Sequence, residues 1–178
     1  MTNLEVVTRA LRDANVPFAL IGAVALAARG DSRSTLDIDL MTTDRTVLNK
    51  DFWTAVREAG FSVDVRVGDF DDPLAGVVRI SGDEPIDLVV AKHKWQRDVV
   101  SRAQPLDVRD LVLPVPSTTD MILLKLFAGG YKDLNDIRTL LDIGPRDPLV
   151  AEVTTALSEL PEEMRGRWER LLRESRES

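Results

Sequence analysis

The apolar residues of this chain fall into runs whose period changes from helical to strand-like and back. Leu4, Val7 and Leu11 recur at the spacing of one helix face, with Thr2 or Asn3 ahead as cap, and predict a helix over 3–14 that Asn15-Val16-Pro17 breaks. Phe18 to Ile21 is a short apolar run stopping at Gly22, the pattern of a buried strand. Ala23 to Arg29 is alanine-rich and predicts a helix that Gly30 can end. Thr35 to Met41 alternates and predicts a second strand, with Asp37 and Asp39 interleaved between Leu36, Ile38 and Leu40. A helix over 51–59, ended by Gly60, leads into three further predicted strands at 61–67, 76–80 and 86–91. Gly-Asp-Phe-Asp-Asp-Pro and Ser-Gly-Asp-Glu-Pro separate them as turns.

Past residue 91 the pattern turns helical. A basic segment, Lys92-His93-Lys94-Trp95-Gln96-Arg97, is followed by a short helix and by Leu111-Val112-Leu113. Ser117-Thr118-Thr119-Asp120 forms a cap cluster for an apolar helix over Met121 to Phe127. Gly129-Gly130 interrupts, and 132–142 resumes with Leu134, Ile137, Leu140 and Leu141 on one face. Two more helices, about 148–159 and 162–174, flank Pro161. Strands first and helices last imply an α+β fold. It has a small mixed β-sheet core flanked by helices over residues 1–115 and a helical C-terminal lobe over 116–178, packed on the core or merged with it as one domain.

Composition narrows the picture. The chain has 178 residues, enough for one compact unit or a core with a small lobe, and 44% of them are hydrophobic, which excludes a disordered chain. It has no cysteine, so disulfides and thiolate metal sites are excluded. No charged segment leads into a cleavable apolar stretch, and no apolar run approaches membrane-spanning length. The expectation is a soluble, cytoplasmic protein without a membrane partner. A net charge of −7 argues against a surface that coats nucleic acid as a whole, while leaving room for a local basic groove. The 92–97 segment is either such a groove or a solvated helix start, and His93 reads as a member of that patch.

Asp37 and Asp39, two apart on a predicted strand, share one face while their apolar neighbours face a core. Converging carboxylates repel unless a cation sits between them, and hard oxygen ligands suit Mg²⁺, which uses one or two carboxylates plus substrate phosphates. A lone Asp-x-Asp can equally be a solvated edge. Gly22, between a strand and a helix start, lets a backbone approach a ligand near free N–H groups, or simply makes a tight turn. Asp87 is the only charge in the apolar run Ile86 to Val90, a costly placement unless paired, hydrated or on metal. Three carboxylates on neighbouring strands would make a two-metal site.

The stretch Ile21-Gly22-Ala23-Val24-Ala25-Leu26, Arg29-Gly30 and Arg33-Ser34-Thr35-Leu36-Asp37-Ile38-Asp39-Leu40 resembles the signature of the DNA polymerase beta-like nucleotidyltransferase superfamily. Asp87 matches that family's third carboxylate. Arg-Gly, Arg-x-Thr and Asp-Ile-Asp-Leu are similar to the AbiEii-like toxin branch, including the MenT-type tRNA nucleotidyltransferases. Leu124-Lys125-Leu126 and Tyr131-Lys132-Asp133-Leu134-Asn135-Asp136 resemble that branch's lysine and Lys-Asp-x-x-Asp motifs. The matching segments span roughly residues 18–141. One position departs: Ala23 stands where a second glycine or a serine is usual, which keeps a backbone N–H but loses a hydroxyl.

The resemblance implies an Mg²⁺-dependent nucleotidyltransferase with a nucleoside triphosphate as co-substrate. Asp37, Asp39 and Asp87 would be metal ligands and, with Lys125 and Asp136, catalytic residues; Gly22, Ala23, Arg33, Thr35 and Lys132 would contact the triphosphate. It further implies an RNA or tRNA 3′ end as acceptor and a separately encoded antitoxin as partner. Read from the residues alone, Lys125 is a stem packed on the core with its head in water, and Asp133 and Asp136 are helix-start residues. Transfer to a small molecule or a protein, and an inactive nucleotide- or partner-binding module marked by Ala23, stay open as alternatives.

Overall fold

The computed structural model describes residues 1–30 and 37–177, with side chains through Ser175. Its elements run α1 (Asn3–Asp13), β1 (Ala19–Ile21), α2 (Gly22–Ala28), β2 (Ile38–Thr42), α3 (Thr54–Glu58), β3 (Val63–Val67), β4 (Leu74–Ile80), β5 (Ile86–Ala91) and α4 (Lys94–Arg102). A hairpin of β6 (Gln104–Val108) and β7 (Leu111–Val115) follows, then α5 (Thr118–Ala128), α6 (Tyr131–Ile143), α7 (Arg146–Ala156) and α8 (Glu162–Glu177). Two compact units result: Met1–Ala28 with the described residues 37–116, and Arg29 and Gly30 with the described residues 117–177. The fold is α+β.

In the first unit, five strands form a sheet in the order β1-β2-β5-β4-β3, in which only β2 and β5 run parallel. Alternation sends Ile38 and Leu40 of β2, Ile86, Leu88 and Val90 of β5, and Val78 and Ile80 of β4 to one face, and all are buried. Each such side chain contributes about 1.5–3 kcal/mol on leaving water. The opposite face carries Asp39, Asp87 and Arg79. Thr2 caps α1 through a reciprocal pair with Glu5, as its position ahead of Leu4 suggests.

Several elements differ from the sequence expectations. The helix expected over 51–59 is shorter as an α-helix, α3 at Thr54–Glu58, and its start is a 3₁₀ turn, Lys50–Trp53, preceded by a further 3₁₀ turn at Arg45–Leu48. Asp44 and Asn49 accept from Thr46 and Asp51 N–H groups and start these turns, and Trp53 Nε1 donates to Val47 O at 2.7 Å, fixing them around a fully buried indole. Strand β6 was not expected, because Pro105 interrupts its alternation. It pairs with β7 so that Pro105 faces Pro114, and the turn between them places Arg109 (φ 50°) and Asp110 (φ 64°) in the left-handed region. A two-residue turn of that geometry usually announces itself by Asn-Gly. The basic segment, read as a local groove or a solvated helix start, begins α4 from Lys94 on, with Gln96 buried.

The second unit is helical. α5 packs with α6, α7 and α8, and Met121, Ile122, Leu126, Ile137, Leu140, Leu141, Val153, Met164 and Trp168 are among its buried side chains. Ser117 caps α5 by accepting from Asp120 N–H at 3.1 Å. Gly129 ends it at φ 68°, and Arg167 donates to the Leu126 and Phe127 carbonyls at 2.7 and 3.0 Å. No helix among the described residues is long and apolar enough to cross a membrane.

Candidate active site

Asp39 and Asp87 are direct register partners on the parallel strands β2 and β5. Adjacent strands lie about 4.8 Å apart, so two carboxylates stand side by side on one half-exposed sheet face. Register continues the row across the sheet: Asp87 faces Arg79 of β4, and Arg79 faces Asp64 of β3. Arg79 Nε lies 3.3 Å from Asp87 Oδ1, and Arg66 Nε lies 3.0 Å from Asp64 Oδ2. Arg79 is a site residue that the sequence reading missed. It is the only charge in Gly76 to Ile80, a signal of the same kind as Asp87, but its neighbour follows only from the β4–β5 register.

On the other side of Asp39 stands Ile21 of β1, followed by Gly22 at φ +69°. A Cβ at Gly22 would fall 2.0 Å from Asp39 Oδ2 and 2.7 Å from its Cγ. Glycine is required there twice, for the left-handed backbone and for the room that the Asp39 carboxylate fills. Ala23, next in α2, is half-exposed.

Asp37 is placed differently from expectation. It lies one residue ahead of β2 and is exposed, so strand alternation does not align it with Asp39. No group of three or more His, Asp or Glu side chains among the described residues is arranged to hold a metal ion. The donors brought together are thus a pair, Asp39 and Asp87. Such a pair fits a hard cation like Mg²⁺, which completes its shell with water and substrate phosphates. Arg33 and Thr35 lie outside the described residues.

Lys125, Lys132 and Asp136 belong to the second unit. Lys125 Nζ on α5 lies 2.7 Å from Asp136 Oδ2 and 3.0 Å from Asp133 Oδ1, both on α6. Asp136 is buried at 1% exposure, and the Lys125 side chain retains 16%. The ammonium is therefore not the solvated head expected from the residues alone but the clasp between two helices. Burial pulls the Lys125 pKa down, but the hydrogen bonds to Asp136 and Asp133 and their negative charges outweigh it and hold the value above the ordinary 10.5. Asp133 also accepts from Gly130 N–H at 3.2 Å through its second oxygen, capping α6. Lys132 is exposed.

No family model matches this sequence, and no curated protein matches it significantly. Solved structures do. The solution structure of the antibiotic-resistance factor ANT(2'')-Ia superposes with a TM-score of 0.55 at 15% identity, over 99% of this chain and 96% of that one. The crystal structure of ANT(2'')-Ia in complex with adenylyl-2''-tobramycin gives a TM-score of 0.52 at 17% identity, over 98% and 97% of the two chains. TM1012 of Thermotoga maritima, a candidate nucleotidyltransferase, gives 0.52 at 15% identity, over 78% of this chain and 92% of its own. At such identities the likeness speaks for architecture: the chain has the fold of nucleotidyltransferases.

Proposed function

We propose that this protein is an Mg²⁺-dependent nucleotidyltransferase that moves a nucleoside monophosphate from a triphosphate onto an acceptor hydroxyl. The observation that carries this is the in-register Asp39–Asp87 pair, with Gly22 left bare so that the Asp39 carboxylate can lie against it. Mg²⁺ bound there, with Asp37 at its edge, would supply positive charge to the triphosphate. Asp87 accepts the proton of the acceptor hydroxyl, whose oxygen forms a bond to the α-phosphorus. The bond from that phosphorus to the β-bridging oxygen breaks, and pyrophosphate leaves. Arg79 holds the Asp87 carboxylate from the side away from Asp39. The family resemblance assigns triphosphate contacts to Gly22, Ala23, Arg33, Thr35 and Lys132, and places Lys125 and Asp136 in the catalytic machinery.

For the acceptor we propose an RNA 3′ end, that of tRNA first, with the protein acting as a toxin held by a separate antitoxin. The combination of Arg33-x-Thr35 with Lys132-Asp133-x-x-Asp136 supports it. A small-molecule acceptor is the second reading, favoured by the likeness to ANT(2'')-Ia, whose complex holds an adenylylated antibiotic. Incubating the protein with each α-labelled triphosphate and Mg²⁺, together with tRNA, total lysate or an aminoglycoside panel, separates them. Label on tRNA is the expected result. Label only on small molecules moves the acceptor to that class, label on a lysate protein moves it to a protein side chain, and no label with any triphosphate leaves a binding module without activity.

A further inference from the structure

Beyond the carboxylate row, a cleft of about 520 Å³ opens in the first unit where β2 and β5 end. Thr43, Arg45, Phe70, Ala91, Lys92 and Arg97 line it. Ala91, the last residue of β5, continues the alternation of Asp87 and Val89, so the cleft meets the sheet on the face of the carboxylates. Four residues of strand separate the two places, about 13 Å.

The lining has the chemistry of a built site. Arg45 and Arg97 are exposed, and neither is paired with a carboxylate among the described residues. Phe70 is 97% exposed, at the tip of the β3–β4 loop. That loop is anchored. Lys92 Nζ donates to the Asp69 carbonyl at 2.8 Å and to the carbonyls of Phe70 and Asp72. The Asp69 carboxylate, which also borders the cleft, accepts from the Asp71 and Asp72 N–H groups at 3.0 and 3.1 Å. The Asp72 carboxylate accepts from Asp69 N–H at 2.8 Å. An aromatic ring in water on a fastened loop, beside two guanidinium groups and an ammonium, matches a planar ring joined to an anion.

We propose that this cleft binds a nucleotide unit of single-stranded RNA, its phosphates on Arg45 and Arg97 and its base on Phe70. The strand then runs along the sheet face so that its 3′ hydroxyl reaches the Asp39–Asp87 pair. This course of the strand rests on the RNA-acceptor reading above. Lys92 serves by fixing the loop, and Phe70 supplies the stacking face, while Trp95 of the basic segment is half-buried.

Fluorescence anisotropy of a 5′-labelled oligouridylate, without triphosphate, tests it. Arg45→Ala/Arg97→Ala should weaken binding and flatten the slope of log K against log salt by about 1.4, the share of two single-strand phosphates. Phe70→Ala should weaken binding roughly tenfold with the slope unchanged, Phe70→Trp should retain it, and Phe70→Leu should not rescue it. Wild-type binding in all of these variants, or rescue by leucine equal to tryptophan, overturns the site. Displacement of the oligomer by uridine monophosphate at equal concentration assigns the cleft to free nucleotides and overturns the strand. If the variants bind normally while the wild type labels RNA, the cleft falls and the acceptor stands. If strand binding depends on the cleft but RNA is never labelled, the acceptor and the strand's course fall and the cleft remains.

Discussion

Replacing Gly22 with alanine probes the tightest contact of the candidate site. Two separable terms follow from the geometry. The backbone sits at φ +69°, which costs an L-residue about 1–2 kcal/mol. The new Cβ would fall 2.0, 2.7 and 2.9 Å from Oδ2, Cγ and Cβ of Asp39, so that carboxylate must leave its rotamer, costing about 0.5–1.5 kcal/mol. Together they predict a loss of about 2–3 kcal/mol by urea unfolding. Asp39→Ala removes the two closest atoms and leaves only the Cβ at 2.9 Å. In that background Gly22→Ala should therefore cost mainly the backbone share, a coupling of about 1 kcal/mol in the cycle. The four proteins would be unfolded in parallel, and the single variants assayed for transfer. Equal cost of Gly22→Ala in both backgrounds, within about 0.5 kcal/mol, would refute the contact. A loss below about 1 kcal/mol would refute the strain as well.

Other expectations follow from individual contacts. Asp39→Ala should abolish transfer with little loss of stability, because it removes one of two adjacent like charges; a melting temperature far below the wild type would make Asp39 a structural residue instead. Asp136→Ala should destabilise by about 3–5 kcal/mol, since it leaves Lys125 buried with half its partners, whereas Lys125→Met/Asp136→Leu should cost less than the sum of its single changes. The Lys125 contribution has a defined pH window. Its pKa is raised on folding, so the stability it adds is complete below the ordinary 10.5 and is lost as pH rises through the higher folded value. Unfolding of wild type and Lys125→Met across alkaline pH should show their gap closing there, and a gap that stays open or widens as pH rises through that value would contradict the sign. Lys92→Met should release the 68–73 loop, read as faster amide exchange at Asp71 and Asp72 while the β4–β5 amides stay protected.

The separation between what the chain announces and what it conceals runs along the range of its contacts. The alternation around Asp39 and the lone charge of Asp87 were legible because strand period is local. Their adjacency was not, since β2 pairs with β5 across more than forty residues and a slip of one would turn Asp87 to the core. Asp37 shows the reverse: its spacing from Asp39 suggested a shared face, but the strand begins at Ile38 and alternation does not reach it. β6 was hidden by a proline and a turn without glycine. Lys125, Asp133 and Asp136 were visible as types, and Gly129-Gly130 as a break. The turn at that break carries α6 back onto α5 and converts a solvated lysine into a buried clasp. A cation held by two carboxylates has already spent much of its field, so its use on a triphosphate would require those carboxylates to share it. That makes the electrostatics of the first unit the stronger ground for the proposed chemistry. There Arg79 steadies Asp87 from β4, the register neighbours of Asp39 are Ile21 and Asp87, and the two adjacent negative charges gain most from a divalent ion between them.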